Sequence, residues 1–479
     1  MDSRLLGMIG VILLGGLLGI LNSTMAAVAI DTLAVAFATS LSTVGWTSTG
    51  FLLAVTATIP FTTWAVDRFG GRRLWLAGLS LFLAGSLLAG LAWNVGSLIA
   101  FRVLQGFGAG LLDPLVLILL ARAAGPRRAG RVMGLMGVVL SLGPVLGPIA
   151  GGAVLAGLSW RWMFLLSVPV GLVALLLAVR VVPADEPSHG TSGVSPARLD
   201  VVGLALLGPG FAAVVLALSQ TAEQGSFAAW QALLPLATGV LLLAGYAVHA
   251  LRARPAGSPA GSLIGRRKPP LIDLRLFANR GFTASVTIMG LGGLSLFGAL
   301  FALPLYYQQA HGHGVLAAGL LMAPLGLGGS IAMPLAGWLS DRIGARGLAI
   351  AGAVVALLSA LSFTRMGAHT PEIRPALAAL TLGLGSGCFS APTMGSLYRT
   401  LPEPMVAQGS SVLYMLNQLG AALGVAVVTL VLQTAGDVIA GFHGIFWLVV
   451  TVLVIVLAVI PLLPGRPPAQ VVQKEAVRT

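Results

Sequence analysis

The feature that most limits this chain is the recurrence of apolar stretches about twenty residues long, the length an α-helix needs to cross the roughly 30 Å hydrocarbon core of a bilayer. They fall at about 5–30, 45–66, 74–93, 98–120, 132–155, 162–181, 201–219, 230–250, 281–305, 315–339, 347–366, 376–397, 410–432 and 443–463, fourteen in all. A water-soluble fold is excluded, because 57% of the 479 residues are hydrophobic and only 9% are charged, too few to cover a solvated surface. The chain therefore reads as an all-α polytopic membrane protein. Its first stretch follows Arg4 as the apolar part of a signal peptide would, but Leu5 to Ile30 is too long for one, and we read it as a retained helix.

An even number of spans puts both termini on one side, and the basic residues choose the side. Of 27 Lys and Arg, 23 fall on the side of the N-terminus, Arg161, Arg365 and Arg374 fall opposite, and Arg102 lies inside a span. Such asymmetry places both termini in the cytoplasm. The net charge of +13 does not point to nucleic acid, since it sits in loop clusters such as Arg127-Arg128-Arg131 and Arg266-Arg267-Lys268. The lone cysteine, Cys388, allows no internal disulfide, and no Cys/His cluster has metal-ligand spacing. No P-loop lies within this chain, the only lysines being Lys268 and Lys474, so transport would draw on an ion gradient or on substrate diffusion, a separate ATPase subunit fitting the repeat poorly. With no nucleophile–base pair visible, we expect no enzyme, and we expect no cofactor.

An internal repeat divides the chain. Pro60 to Arg72 and Pro334 to Arg346 share P-x3-W-x2-D-R-x-G-x-R, each copy ending an even-numbered span on the N-terminal side. Two parallel halves follow, the first six spans and the last six, with the seventh and eighth as an insert. The expected organisation is a six-helix bundle over 1–182, connectors with two extra helices over 183–280, a second six-helix bundle over 281–465, and a cytoplasmic tail over 466–479. The connectors Pro183 to Leu199 and Leu251 to Pro270 are rich in Pro, Gly, Ser and Ala.

With these motifs the sequence resembles the 14-helix branch of the drug:proton antiporters in the major facilitator superfamily, the QacA/EmrB type, nearly end to end. Trp46 through Arg73 is similar to motif A, Phe101 through Gly106 to motif B, and Leu142 through Pro148 with Gly151-Gly152 to the antiporter motif C. The resemblance implies a major facilitator fold of two six-helix bundles plus two extra helices, in a bacterial cytoplasmic (inner) membrane, acting as a monomer on protons and a small amphiphilic substrate. It further implies a conformational latch in motif A, made of Asp67, Arg68, Gly70, Arg72, Arg73 and Arg122 with Asp341 and Arg342 in the second copy. There Asp67 would cap the thirteenth helix near Gly409-Ser410-Ser411 and pair with Arg122. Motif C, with Gly143, Pro144, Gly147, Pro148, Gly151 and Gly152, would pack the fifth helix on the opposite half. Departures from the branch pattern are Asn22 in place of its first-helix aspartate, Thr63 in place of the first glycine of motif A, and Asp113 before Pro114.

Two ionisable residues lie well inside the expected hydrocarbon layer, Arg102 and Asp113, each at a cost of roughly 2.5 to 3.5 kcal/mol. Eleven residues apart, they share a helical stripe with Gln105 and Ala109 but lie roughly 16 Å from one another along the axis. Asp113 must then face water, another helix's donor, or be neutral, and a carboxyl whose exposure alternates can carry a proton. Arg102 resembles the motif B arginine, which the family links to proton coupling and the first helix. Asp31, at the far end of the first helix, is the alternative proton site. Candidate cavity groups are Asn22, Thr24, Gln105, Tyr306, Tyr307, Gln308, Asn417 and Gln418. The leading expectation is a proton-coupled exporter of amphiphilic drugs or antibiotics. An exporter of one endogenous metabolite or lipid, or a non-transporting membrane sensor or scaffold, stays open, and a scaffold has little reason to keep an acid and a base inside the bilayer.

Overall fold

The computed structural model describes residues 3–125, 128–182, 199–253, 270–402, 405–435 and 437–464; Arg127, Arg266, Arg267, Lys268, most of both expected connectors and the tail 466–479 lie outside them. Among the described residues every regular element is helical, and fourteen helices are long and apolar enough to span. They are α1 Leu6–Ala26, α2 Leu41–Phe69, α3 Gly71–Gly90, α4 Val95–Ala124, α5 Ala129–Gly157, α6 Trp162–Val181, α7 Val201–Gln224, α8 Trp230–Arg252, α9 Arg280–Gln309, α10 Ala317–Ile343, α11 Ala345–Phe363, α12 Ile373–Thr400, α13 Val406–Thr434 and α14 Val438–Leu462.

Several helices run up to about a turn beyond the apolar stretch that marks them, and polar residues fix where they start. Asn94 and Ser97 form a capping box before α4, with Ser97 N donating to Asn94 Oδ1 at 2.7 Å. Asp200 caps α7 through Gly203 N at 2.9 Å, and Asn279 caps α9. The two copies of the repeat end α2 and α10 with the same device: Gly70 and Gly344 sit at φ +89° and +95°, a conformation that only glycine adopts cheaply.

One core fills α1–α6 and runs on into α7, α8 and parts of α9, α12 and α13, and a second lies within α9–α14; α2 packs along α4, and α10 and α11 along α12. Between them α5 lies along α10, and α13 reaches α2 and α4. The inserted α7 and α8 form a hairpin whose α7 touches both α2 and α13. Bonds at the far end anchor it, Thr49 to Ser219 at 3.3 Å and Ser42 Oγ to Glu223.

Small residues set how closely the halves approach. A Cβ on Gly130 would come within 2.5 Å of Gly337 O, and one on Gly134 within 2.5 Å of Met333 O, so α5 and α10 meet backbone to backbone. The fifth helix does lie on the opposite half, as the resemblance implied, but not through the glycines of motif C. Gly143, Gly147 and Gly151 face Ile20, Thr24 and Met25 of α1, inside their own half, and nothing approaches Gly152. Contact with the opposite half falls to Gly130, Gly134 and Gly137 and, further along, to Ser141 and motif C's own Val145 against Gly326 and Gly329. The glycines of motif C and those of the seam lie on different faces of one helix.

Candidate functional site

Where the halves meet, helices of both enclose a cavity of about 410 Å³, with α7 as one wall through Val215, Leu218 and Ser219. Its surface is mostly apolar, and the ionisable groups reaching it are Asp113, Arg102 and Tyr414. That composition suits an amphiphile held by shape and a few polar contacts.

Asp113 is half-buried on α4, and its Oδ2 accepts a 2.5 Å hydrogen bond from Tyr414 Oη on α13. The bond spans the two halves, so rocking of one against the other must change it. Tyr414 was not among the residues singled out from sequence. A signal existed, since it precedes Asn417 and Gln418 by three and four residues and so shares their helical face.

Arg102 is fully buried. Its Nε donates to Thr47 O at 3.2 Å, and its Nη1 donates to Asn22 Oδ1 at 2.8 Å and to Gln105 Oε1 at 2.6 Å. Phe51 covers one face of the guanidinium at 4.1 Å, and Phe164 lies 5.6 Å from it. Asn22 in turn donates to Ser167 Oγ at 3.1 Å.

The remaining candidates divide by place. Thr24, Asn417 and Gln418 line the cavity, with Asn417 Nδ2 also donating to Met289 O at 3.0 Å. Asn22 and Gln105 stand behind the wall and hold Arg102. Tyr306, Tyr307 and Gln308 lie elsewhere, at the far end of α9. Tyr306 there stacks on Phe442 with centroids 4.2 Å apart and donates to Gly367 O at 3.0 Å. Asp31 is exposed on the short helix Ile30–Ala36.

The motif A aspartates part company. Asp67 pairs with Arg122 Nη2 at 2.9 Å inside its own half, and α13 begins at Met405 without a side-chain cap, so the expected cap of α13 by Asp67 is not formed. The second copy makes the corresponding bond. Asp341 accepts from Gly130 N at 3.0 Å and Arg131 N at 2.9 Å, the first turn of α5, and from Arg399 Nη1 at 2.7 Å. A carboxylate there satisfies orphan N–H groups and complements the helix dipole. The reason is the close α5–α10 seam, which carries the end of α10 onto the start of α5. Around these, Arg72 donates to Val179 O, Arg342 stacks over Trp338 at 4.2 Å, and Arg68 is exposed.

The sequence profile of the Major Facilitator Superfamily matches residues 12–222 and 199–425. A "Multidrug resistance protein B homolog" of Mycobacterium tuberculosis is 37% identical over 436 residues, covering 90% of this chain and 77% of the relative. "Multidrug export protein EmrB" of Haemophilus influenzae is 30% identical, covering 86% and 77%, and "Lincomycin resistance protein LmrB" of Listeria innocua is 27% identical, covering 89% and 86%. Among solved structures, the proton:xylose symporter XylE superposes with a TM-score of 0.66 at 15% identity, over 95% of each chain. The human organic anion transporter MFSD10 does so at 0.65 and 17%, over 95% of this chain and all of the other.

Proposed function

Because this chain belongs to the major facilitator superfamily, we propose that it is a secondary active exporter of amphiphilic drugs or antibiotics, working by alternating access and coupled to protons. One observation carries the reading: a largely apolar cavity between the halves whose acid, Asp113, is hydrogen-bonded across them by Tyr414. The names of the relatives support export of drugs.

The protein is a monomer in a bacterial inner membrane, with both termini in the cytoplasm, as the 23 to 3 division of Lys and Arg argues. Residues 1–182 and 281–465 are the rocking halves, 183–280 the insert that seals one side, and 466–479 the cytoplasmic tail. Asp341 on the first turn of α5 latches the cytoplasmic side shut. Asp113 is the proton site. With the halves in the observed contact, Tyr414 donates to its carboxylate; when they rock, that donor withdraws and the carboxyl meets water. Protonation removes a charge from the apolar wall and lowers the cost of closing the cavity without substrate. Asn22 cannot titrate, so Arg102 serves to order α1 against α4 rather than to exchange a proton.

Proteoliposomes with an imposed pH gradient and a panel of cationic, neutral and anionic compounds test the proposal. Substrate entry should move protons outward, and Asp113→Asn should abolish that movement while downhill substrate exchange continues. Proton movement retained in Asp113→Asn would defeat the assignment.

A further inference from the structure

We infer that Arg102 and Ser48 form a subsite of the cavity for an anionic head group, a carboxylate, sulfonate or phosphate ester carried on an apolar body. This rests on the cavity being the substrate path.

The argument starts from unmet hydrogen bonds. A guanidinium offers five N–H donors. Here Nε and Nη1 are engaged by Thr47 O, Asn22 Oδ1 and Gln105 Oε1, while Nη2, buried, has no partner. Three more buried polar atoms lack a partner: Thr47 Oγ1 and Gln105 Nε2, on the two residues whose other oxygens Arg102 bonds, and Ser48 Oγ, on the residue after Thr47 and on the cavity wall with Arg102. Buried polar groups are nearly always paired, so the orphans on Arg102 and Ser48, the two that also line the cavity, need an explanation.

Charge points the same way. Among the described residues the acids in ion pairs are Asp67, Asp200, Glu372 and Asp341, none of them with Arg102. Asp113 lies about 16 Å along α4 from Arg102. Every acceptor Arg102 has is neutral, which leaves a permanent positive charge in an apolar interior. Such a charge is strongly disfavoured unless an anion meets it. Arg102, Ser48 and Phe51 all reach the cavity wall, so a ligand there can present an anion to Nη2 and Ser48 Oγ and lay its apolar body on the Phe51 ring.

The test uses the purified full chain and two probes with the same ring, 1-naphthaleneacetate and 1-naphthylmethylammonium, their binding read by scintillation proximity in gluconate and then in chloride. The unmodified protein should bind the acid in both media. Asn22→Asp is isosteric and places a carboxylate where Asn22 Oδ1 now sits, 2.8 Å from Nη1. It should lower the ratio of acid to amine affinity by about tenfold or more, one charge-assisted contact's worth, and Ser48→Ala should lower it less. An unchanged ratio in Asn22→Asp would overturn the subsite. Acid binding lost in chloride would assign the site to an inorganic ion and overturn the substrate reading. Binding of the amine alone would remove the subsite and leave the exporter standing, whereas failure of both probes would remove the exporter cavity too.

Discussion

Replacing Asp341 by Asn should open the cytoplasmic side. The carboxylate accepts two backbone N–H bonds from α5, at 3.0 and 2.9 Å, and one from Arg399 at 2.7 Å, with its side chain 13% exposed and that of Arg399 10%. An amide has one acceptor oxygen and no charge, so one N–H of α5 loses its partner and Arg399 loses its counter-ion. A hydrogen bond to a charged group contributes about 1.5 to 3 kcal/mol, and the dipole term adds roughly 0.5. The latched state should therefore lose about 2 to 3.5 kcal/mol relative to the open one, a shift of roughly 30- to 400-fold in their ratio. Asp67 predicts the contrast. Its pair with Arg122 is 57% and 33% exposed and lies inside one half, so Asp67→Asn should move the ratio by less than about 1 kcal/mol. Double electron–electron resonance between labels at Phe69→Cys and Ile343→Cys, both exposed near the ends of α2 and α10, in a Cys388→Ser background, reads the separation of the halves directly. A distance distribution unchanged in Asp341→Asn, or moved further by Asp67→Asn, would refute the reasoning.

Gly134→Ala should push α5 off α10, because its Cβ would lie 2.5 Å from Met333 O, and a loss of about 1 to 3 kcal/mol should appear as a lower Tm and slower transport; a wild-type Tm would mean that the seam yields. Asp31→Asn should leave proton coupling nearly unchanged, since the residue is exposed on the short helix Ile30–Ala36 and does not line the cavity, and a pH dye in proteoliposomes checks it. Cysteines at Ser188 or Gly261 should resist a membrane-impermeant maleimide added to intact cells, and efficient labelling at either would reverse the topology.

How much was legible in the residues depended on whether the signal was local. Fourteen spans could be read directly, because apolar length is a property of each stretch and the bilayer imposes one scale on all of them. The repeat around Asp67 and Asp341 pointed to two parallel halves, since each copy ends an even-numbered span on the same side. Arg102 and Asp113 stood out as charges where charges are costly. Three things came only with the packed bundle. Tyr414 meets Asp113 from 301 residues away, and no chain pattern encodes a donor on the other half. The cap on a first turn belongs to Asp341 and not Asp67: the copies share only their motif positions, and where the second has Gly337, against the backbone of Gly130, the first has Thr63, bonded to Ser411 of α13. The glycines of motif C turn to α1 while Val145 between them meets the opposite half, and α7 enters the cavity wall. A helix's sequence specifies which of its faces is small, apolar or polar; which neighbour each face meets is set by how fourteen helices share a limited volume.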